Sequence, residues 1–222
     1  MLSRWGGLAM AVTAAVVVVV TVLVLGINTP VRRAGSAGVA LGPDSGEQVD
    51  AYLAHAAAAR PTAGGPYWAL VSLRAELTPA AAAAVPGSAR LSRVVLQVPL
   101  ERVQTAQLRV DLADQGDRAA VLQRAMTAAS DELQRSQAAD KRAAAVAQVS
   151  VPRLRSGCAC VLAMLVRASA DQLRAIAAAP AVRAVQAAPA GTELRALSVA
   201  PLLPGQITVV GPAPDDGVVP PA

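Results

Sequence analysis

Two cysteines separated by one residue, Cys158 and Cys160, are the side chains in this sequence best suited to special chemistry. On an extended strand they point to the same face. A direct bond between them needs Cα atoms within about 7 Å. An extended Cys-Ala-Cys lies near that limit, so closure calls for a kink, and Gly157 is placed to allow one. Three readings stay open: an intrachain disulfide, two buried thiols, or intermolecular and redox chemistry. Dithiol oxidoreductases usually carry Cys-x-x-Cys at a helix start, a spacing absent here.

Other chemistry finds little support. His55 is the only histidine, and it lies in an alanine-rich run (DAYLAHAAAA) with no nucleophile beside it. Any Ser-His-Asp or Cys-His arrangement would need it, so the expectation is a surface histidine. One histidine and two cysteines are too few for an ordinary zinc site. No glycine-rich phosphate loop is present. Asp131 and Arg135, four apart on an expected helix, read as a surface ion pair. The expectation is therefore a non-enzymatic chain with no catalytic residues, no cofactor and no metal.

Composition narrows the class further. Of 222 residues, 54% are hydrophobic, only 2% are aromatic and none is Phe, so a core must be built from Val, Leu, Ile and Ala. Each of these buries modest area. The net charge is +5, but the arginines are scattered. Nucleic-acid binders cluster basic groups on one face and offer aromatic stacking platforms; neither is visible, which argues against that partner.

The elements that must position these residues begin with an anchor. Residues 8–27 (LAMAVTAAVVVVVTVLVLGI) carry no charge and no proline. At about 1.5 Å per residue such a helix spans about 30 Å, the hydrocarbon thickness. Trp5 and Arg4 flank one side, Arg32 and Arg33 the other, as interfacial anchors do. The run exceeds the 7–15 apolar residues usual in a cleaved secretion signal, although Ala34–Ala40 offers a weak cleavage site. A short amino tail (residues 1–7) ahead of a long domain is the layout of a signal anchor, which places the rest outside the cytoplasm. Residues 28–49 read as a flexible linker, 50–190 as an α+β domain, and 191–222 as a Pro/Gly-rich mobile tail.

Within the domain, Asp50–Ala59 predicts a short helix. Trp68–Leu77 alternates as a half-buried strand, with Ala69, Val71, Leu73, Ala75 and Leu77 on the apolar face. Thr78-Pro79 starts a short alanine helix. Leu91–Leu100 predicts a second strand ended by Pro99, and Gln107–Leu112 a third. Asp117–Gln148, free of Gly and Pro, predicts one long helix, and Ser150–Gly157 a loop. Cys158–Arg167 predicts the strongest strand. Ser169 and Gln172 match a capping box, with Leu173 and Ile176 facing inward. Val182–Gln186 predicts the last strand.

The segment Val161–Pro189 runs apolar strand, Ser169-x-x-Gln172, Leu173, Ile176, then Pro180-x-Val182-x-x-Val185. It resembles the carboxy-terminal half of subtilisin-type protease propeptides and their related inhibitors. The resemblance implies a ferredoxin-like fold, two βαβ units in one antiparallel sheet, with Trp68–Val85 supplying the other unit. Here a long helical insertion separates the halves, and no protease domain follows. The whole chain also resembles single-pass anchored proteins of high-GC bacteria, a likeness that names no activity. The expected role is an envelope accessory protein that binds another protein. An inhibitor or chaperone of an envelope protease and a thiol-active protein are the alternatives.

Overall fold

The structure, a computed structural model, describes residues 38–113 and 116–221. The anchor expected at residues 8–27 lies outside the described residues, as does the first part of the linker. Among the described residues no helix is long and apolar enough to cross a membrane.

The domain is α+β. Its centre is a five-stranded antiparallel sheet built from β2 (Tyr67–Leu77), β3 (Arg90–Leu96), β4 (Leu108–Asp111), β5 (Val161–Ala168) and β6 (Val182–Ala187), in the order β4-β3-β5-β2-β6. A short helix α2 (Pro79–Ala84) links β2 to β3, and α5 (Ala170–Ala177) links β5 to β6. The two strand–helix–strand units interleave, so β5 lies between β2 and β3. Local chemistry starts both helices. The Thr78 hydroxyl accepts from the Ala81 amide with Pro79 in the first turn, and Ser169 and Gln172 form a reciprocal capping box.

Between the units lies the insertion: β4, α3 (Arg118–Arg135) and α4 (Lys141–Arg155). The single helix expected over 117–148 is two helices. Ser136 leaves helical geometry at ψ 139°, and the Asp140 carboxylate accepts from the Ala143 amide to start a new helix. Pro152 lies inside α4, so the expected loop at 150–157 is helical to Arg155. Asp131 does not pair with Arg135 through its carboxylate; it takes Arg155 from the neighbouring helix at 2.9 Å, while Arg135 pairs with Glu132.

The first face of the sheet carries Val71, Leu73, Val94, Met164 and Val166, packed against Leu122 and Met126 of α3 and Leu173 and Ile176 of α5. The second face was expected to meet solvent. Instead residues 69–73 of β2 are buried on both sides. Apart from the helix expected at Asp50–Ala59, its cover comes from outside the expected domain limits. Residues 38–49, placed in a linker, carry β1 (Val39–Leu41), and helix α1 (Val49–Ala58) follows; residues 191–221, placed in a tail, carry a 3-10 turn (Leu194–Ala196) and β7 (Leu197–Val199). β1 and β7 pair in parallel, and Leu41, Leu197 and Val199 bury against Leu70, Val95 and Leu165. Beside them Val49, Tyr52 and Ala56 of α1 pack with Leu202 and Val210.

Polar groups lock this second layer. Gln186 of β6, itself buried, accepts through Oε1 from the Gly42 amide at 2.6 Å and the Tyr52 hydroxyl at 3.3 Å. The Ser72 hydroxyl accepts from the Leu202 amide at 3.3 Å. Burial pushes the Tyr52 phenol up to about 12, because the phenolate would lose its water. Gly42 has φ +119°, and a Cβ there would sit 1.7 Å from the Ala200 carbonyl oxygen. Only glycine lets the two chain ends approach this closely.

Candidate interaction surface

The cysteines sit where the insertion returns to the sheet. After α4, Gly157 adopts φ 75°, which turns the chain back on the helix end; its amide donates to Leu154 O and that of Cys158 to Arg153 O. The bend that brings the two cysteines together lies between them, at Ala159. The Cα atoms of Cys158 and Cys160 are 5.3 Å apart, and the two sulfurs are joined in a disulfide. The pair precedes β5, which begins at Val161, so it does not lie on the strand expected from Cys158 onward. Cys160 is fully buried; its amide donates to Leu77 O, and its carbonyl accepts from the Gln97 amide. The bridge ties the insertion to the central strands. Cys158 is half-buried, whereas Cys160 is buried.

His55 is exposed on α1. Among the described residues no group of three or more His, Cys, Asp or Glu side chains is placed to hold a metal ion.

The segment after β7 builds a surface that the sequence reading did not single out. Leu202 and Val210 bury and fix its two ends. Between them Arg183 of β6 donates to Leu203 O at 2.7 Å, to Pro204 O at 3.2 Å and to Gln206 O. Burial, and then the like charge of Arg74, lower the Arg183 pKa. The Gln206 side chain closes the turn, accepting from the Leu203 amide and donating to Gly211 O. A turn held this firmly projects its next apolar side chains outward: Ile207 is 71% exposed and Val209 46%.

They edge a groove of about 330 Å³ whose walls include Pro99, Leu100, Val103 and Leu203. The opposite wall, the loop after β3, is pinned by Gln97 Nε2 donating to Thr105 O and the Thr105 hydroxyl donating to Val98 O. The groove is largely apolar, and its lining also includes Glu76 and Thr105. The available signal was the apolar Ile-Thr-Val-Val run (207–210) inside a Pro/Gly-rich stretch.

Further along, the chain is held by ion pairs and by neutral hydrogen bonds, among them the Gly217 amide donating to Arg102 O at 2.7 Å and Gln104 Nε2 donating to Ala213 O. Arg142 of α4 donates to the Asp215 carboxylate at 2.9 Å, and the Gln104 amide donates to the same oxygen at 2.9 Å. These two hydrogen bonds, Arg142 first, hold the Asp215 carboxyl below its ordinary range, and Asp215 in turn raises Arg142. Arg102 pairs with Asp216. A cavity of about 370 Å³ beside this lock is lined by Gln104, Leu133, Arg142, Val146 and Asp215.

Searches of protein-family models, curated proteins and solved structures find no match to this chain.

Proposed function

We propose that this chain is a non-enzymatic envelope accessory protein, anchored by residues 8–27, whose extracytoplasmic domain binds another protein. The supporting observation is the groove edged by Ile207 and Val209. Two side chains of this size are kept exposed by a turn on which three carbonyls bond to one arginine, an arrangement that fits a contact surface better than a loose end. The reading takes the domain as ferredoxin-like: the β3-β5-β2-β6 order of the interleaved units supports it, with β4 as an added edge strand and the α3–α4 hairpin as the insertion. A photo-crosslinking residue at position 207, in the full chain in intact cells, should give one discrete adduct that Val209→Asp removes. The same probe at exposed His55 should give none. Equal labelling from both positions, or no adduct from 207, rejects the reading. Protease shaving of the same cells tests the side on which the domain sits.

A second reading is an inhibitor or chaperone of an envelope protease. It is favoured by the interleaved strand order together with the β5–α5–β6 segment that resembles protease propeptides. Full-length protein that neither slows a subtilisin-type protease nor speeds its refolding eliminates it. The thiol-active alternative rests on Cys158 being only half-buried; a native protein that exchanges no disulfide with added glutathione removes its basis.

A further inference from the structure

One end of the sheet differs from the rest in charge and in where the chain joins it. Trp68, Arg167 and Arg90 lie directly opposite one another on β2, β5 and β3. Residues paired this way share a face, here the second face. The Arg167 guanidinium stands 5.5 Å from the centre of the Trp68 ring, a cation–π distance. Arg93 lies in the next row, opposite Leu165. Arg195 lies just beyond, in the 3-10 turn. Four arginines thus share this end, and the two carboxylates near them are taken: Asp111 by Arg93 at 2.6 Å and Glu193 by Arg195 at 2.6 Å. Among the described residues no acidic side chain pairs with Arg90 or Arg167. Asp171, at the same end on the first face, is taken by Arg174.

The chain joins the domain at this end. Leu194 lines a cavity of about 380 Å³ with Trp68, Arg167 and Pro189. From there β7 runs toward the row of Ser72 and Val95, where Arg109 donates to Val199 O and Ser72 accepts from the Leu202 amide. β1 is parallel to β7 with Val39 opposite Leu197, so Gly38 precedes it at the tryptophan end. Only residues 28–37 separate Gly38 from the apolar run, and they include Arg32 and Arg33. Ten residues reach at most about 35 Å when fully extended.

We propose that the Trp68–Arg167–Arg90 end docks on the headgroups of an anionic phospholipid surface. The proposal rests on the anchored reading above. A tryptophan with a polar edge and guanidinium groups free of acid partners is the chemistry that settles at a lipid headgroup layer. A short tether keeps that layer within reach, and docking fixes which way the groove faces.

The test uses the full chain with Trp5→Phe, which leaves Trp68 as its single tryptophan. The protein is placed in nanodiscs of phosphatidylcholine, with or without phosphatidylglycerol, carrying a headgroup spin label. Trp68 emission should be quenched at least about twofold more in the anionic discs, as expected for attraction of roughly two free arginines. Salt at about 0.5 M should remove that excess by screening. Arg90→Glu with Arg167→Glu should also remove it while the far-ultraviolet circular dichroism and the melting temperature are unchanged. Protein that inserts but shows equal quenching in both compositions, or none, overturns the docking proposal and leaves the anchor standing. Protein that fails to insert at all overturns the anchored reading and this proposal with it.

Discussion

On the first face of the sheet, helices α3 and α5 bury a run of leucine, isoleucine and methionine side chains at helical spacing, with Leu122, Met126, Leu173 and Ile176 on the buried stripe. On the second, a helix of ten residues, a two-stranded ribbon three residues long and an irregular strap bury Leu41, Tyr52, Leu197 and Leu202 among others, and hydrogen bonds made by Gln186, Ser72 and Arg183 complete the seal. Both covers bury apolar area; the second adds close backbone approach and a few polar pins. Area tolerates local error because many contacts share the load. Pins do not, since each lost partner leaves a buried donor or acceptor unsatisfied.

Gly42→Val should have the largest effect. It combines a forbidden φ with a Cβ driven into the Ala200 carbonyl, a cost of about 4 kcal/mol from strain plus overpacking. If both layers form one cooperative unit, chemical denaturation will show a single transition at lower midpoint; a separate early transition would mean the second layer melts alone. Leu122→Ala on the first face should cost about 3 kcal/mol through its cavity, in one transition.

Tyr52 gives a pH test specific to the second layer. Its folded pKa is raised from 10.0 to about 12, so its contribution is complete below pH 10 and is lost as pH rises toward 12. The loss is on the order of 3 kcal/mol, at about 1.4 kcal/mol per unit. Tyr52→Phe should flatten that alkaline fall in a urea titration; an unchanged fall would assign it to other groups.

The smallest effect is expected at the end of the strap. The Asp215 pKa is lowered, so the lock is complete above the ordinary carboxylate range and is lost as pH falls through the folded value. Asp215→Asn should speed hydrogen exchange at the Gln104 amide and leave the melting temperature unchanged, as expected of exposed pairs. A shift of several degrees would show that this lock carries fold stability.

Much of the first layer was legible in the sequence. Alternation marked β2, and caps marked α2 and α5, because those signals are local. The break between α3 and α4 was harder. No Gly or Pro stands there, and the signal is only Asp140 acting as a cap. Pro152 read as a loop but is accommodated inside α4. The Cys158–Cys160 bridge was one of three open readings, since sequence spacing does not report the bend at Ala159. Of the second layer only α1 was legible, as the helix expected at Asp50–Ala59. Leu202, Ile207 and Val210 follow no helical or strand period, and their Pro and Gly neighbours suggested a loose tail. The contacts that hold them span more than a hundred residues of sequence, as from Ser72 to Leu202.

The parallel pairing of β1 with β7 has a mechanical consequence. A tether pulling at Gly38 against a partner gripping residues 203–214 would draw the two strands lengthwise past each other. Their cross-links, among them the Ala200 amide on Leu41 O at 2.8 Å, would then bear the force together instead of peeling one at a time. Load applied from the two ends would meet the domain along its stiffest direction.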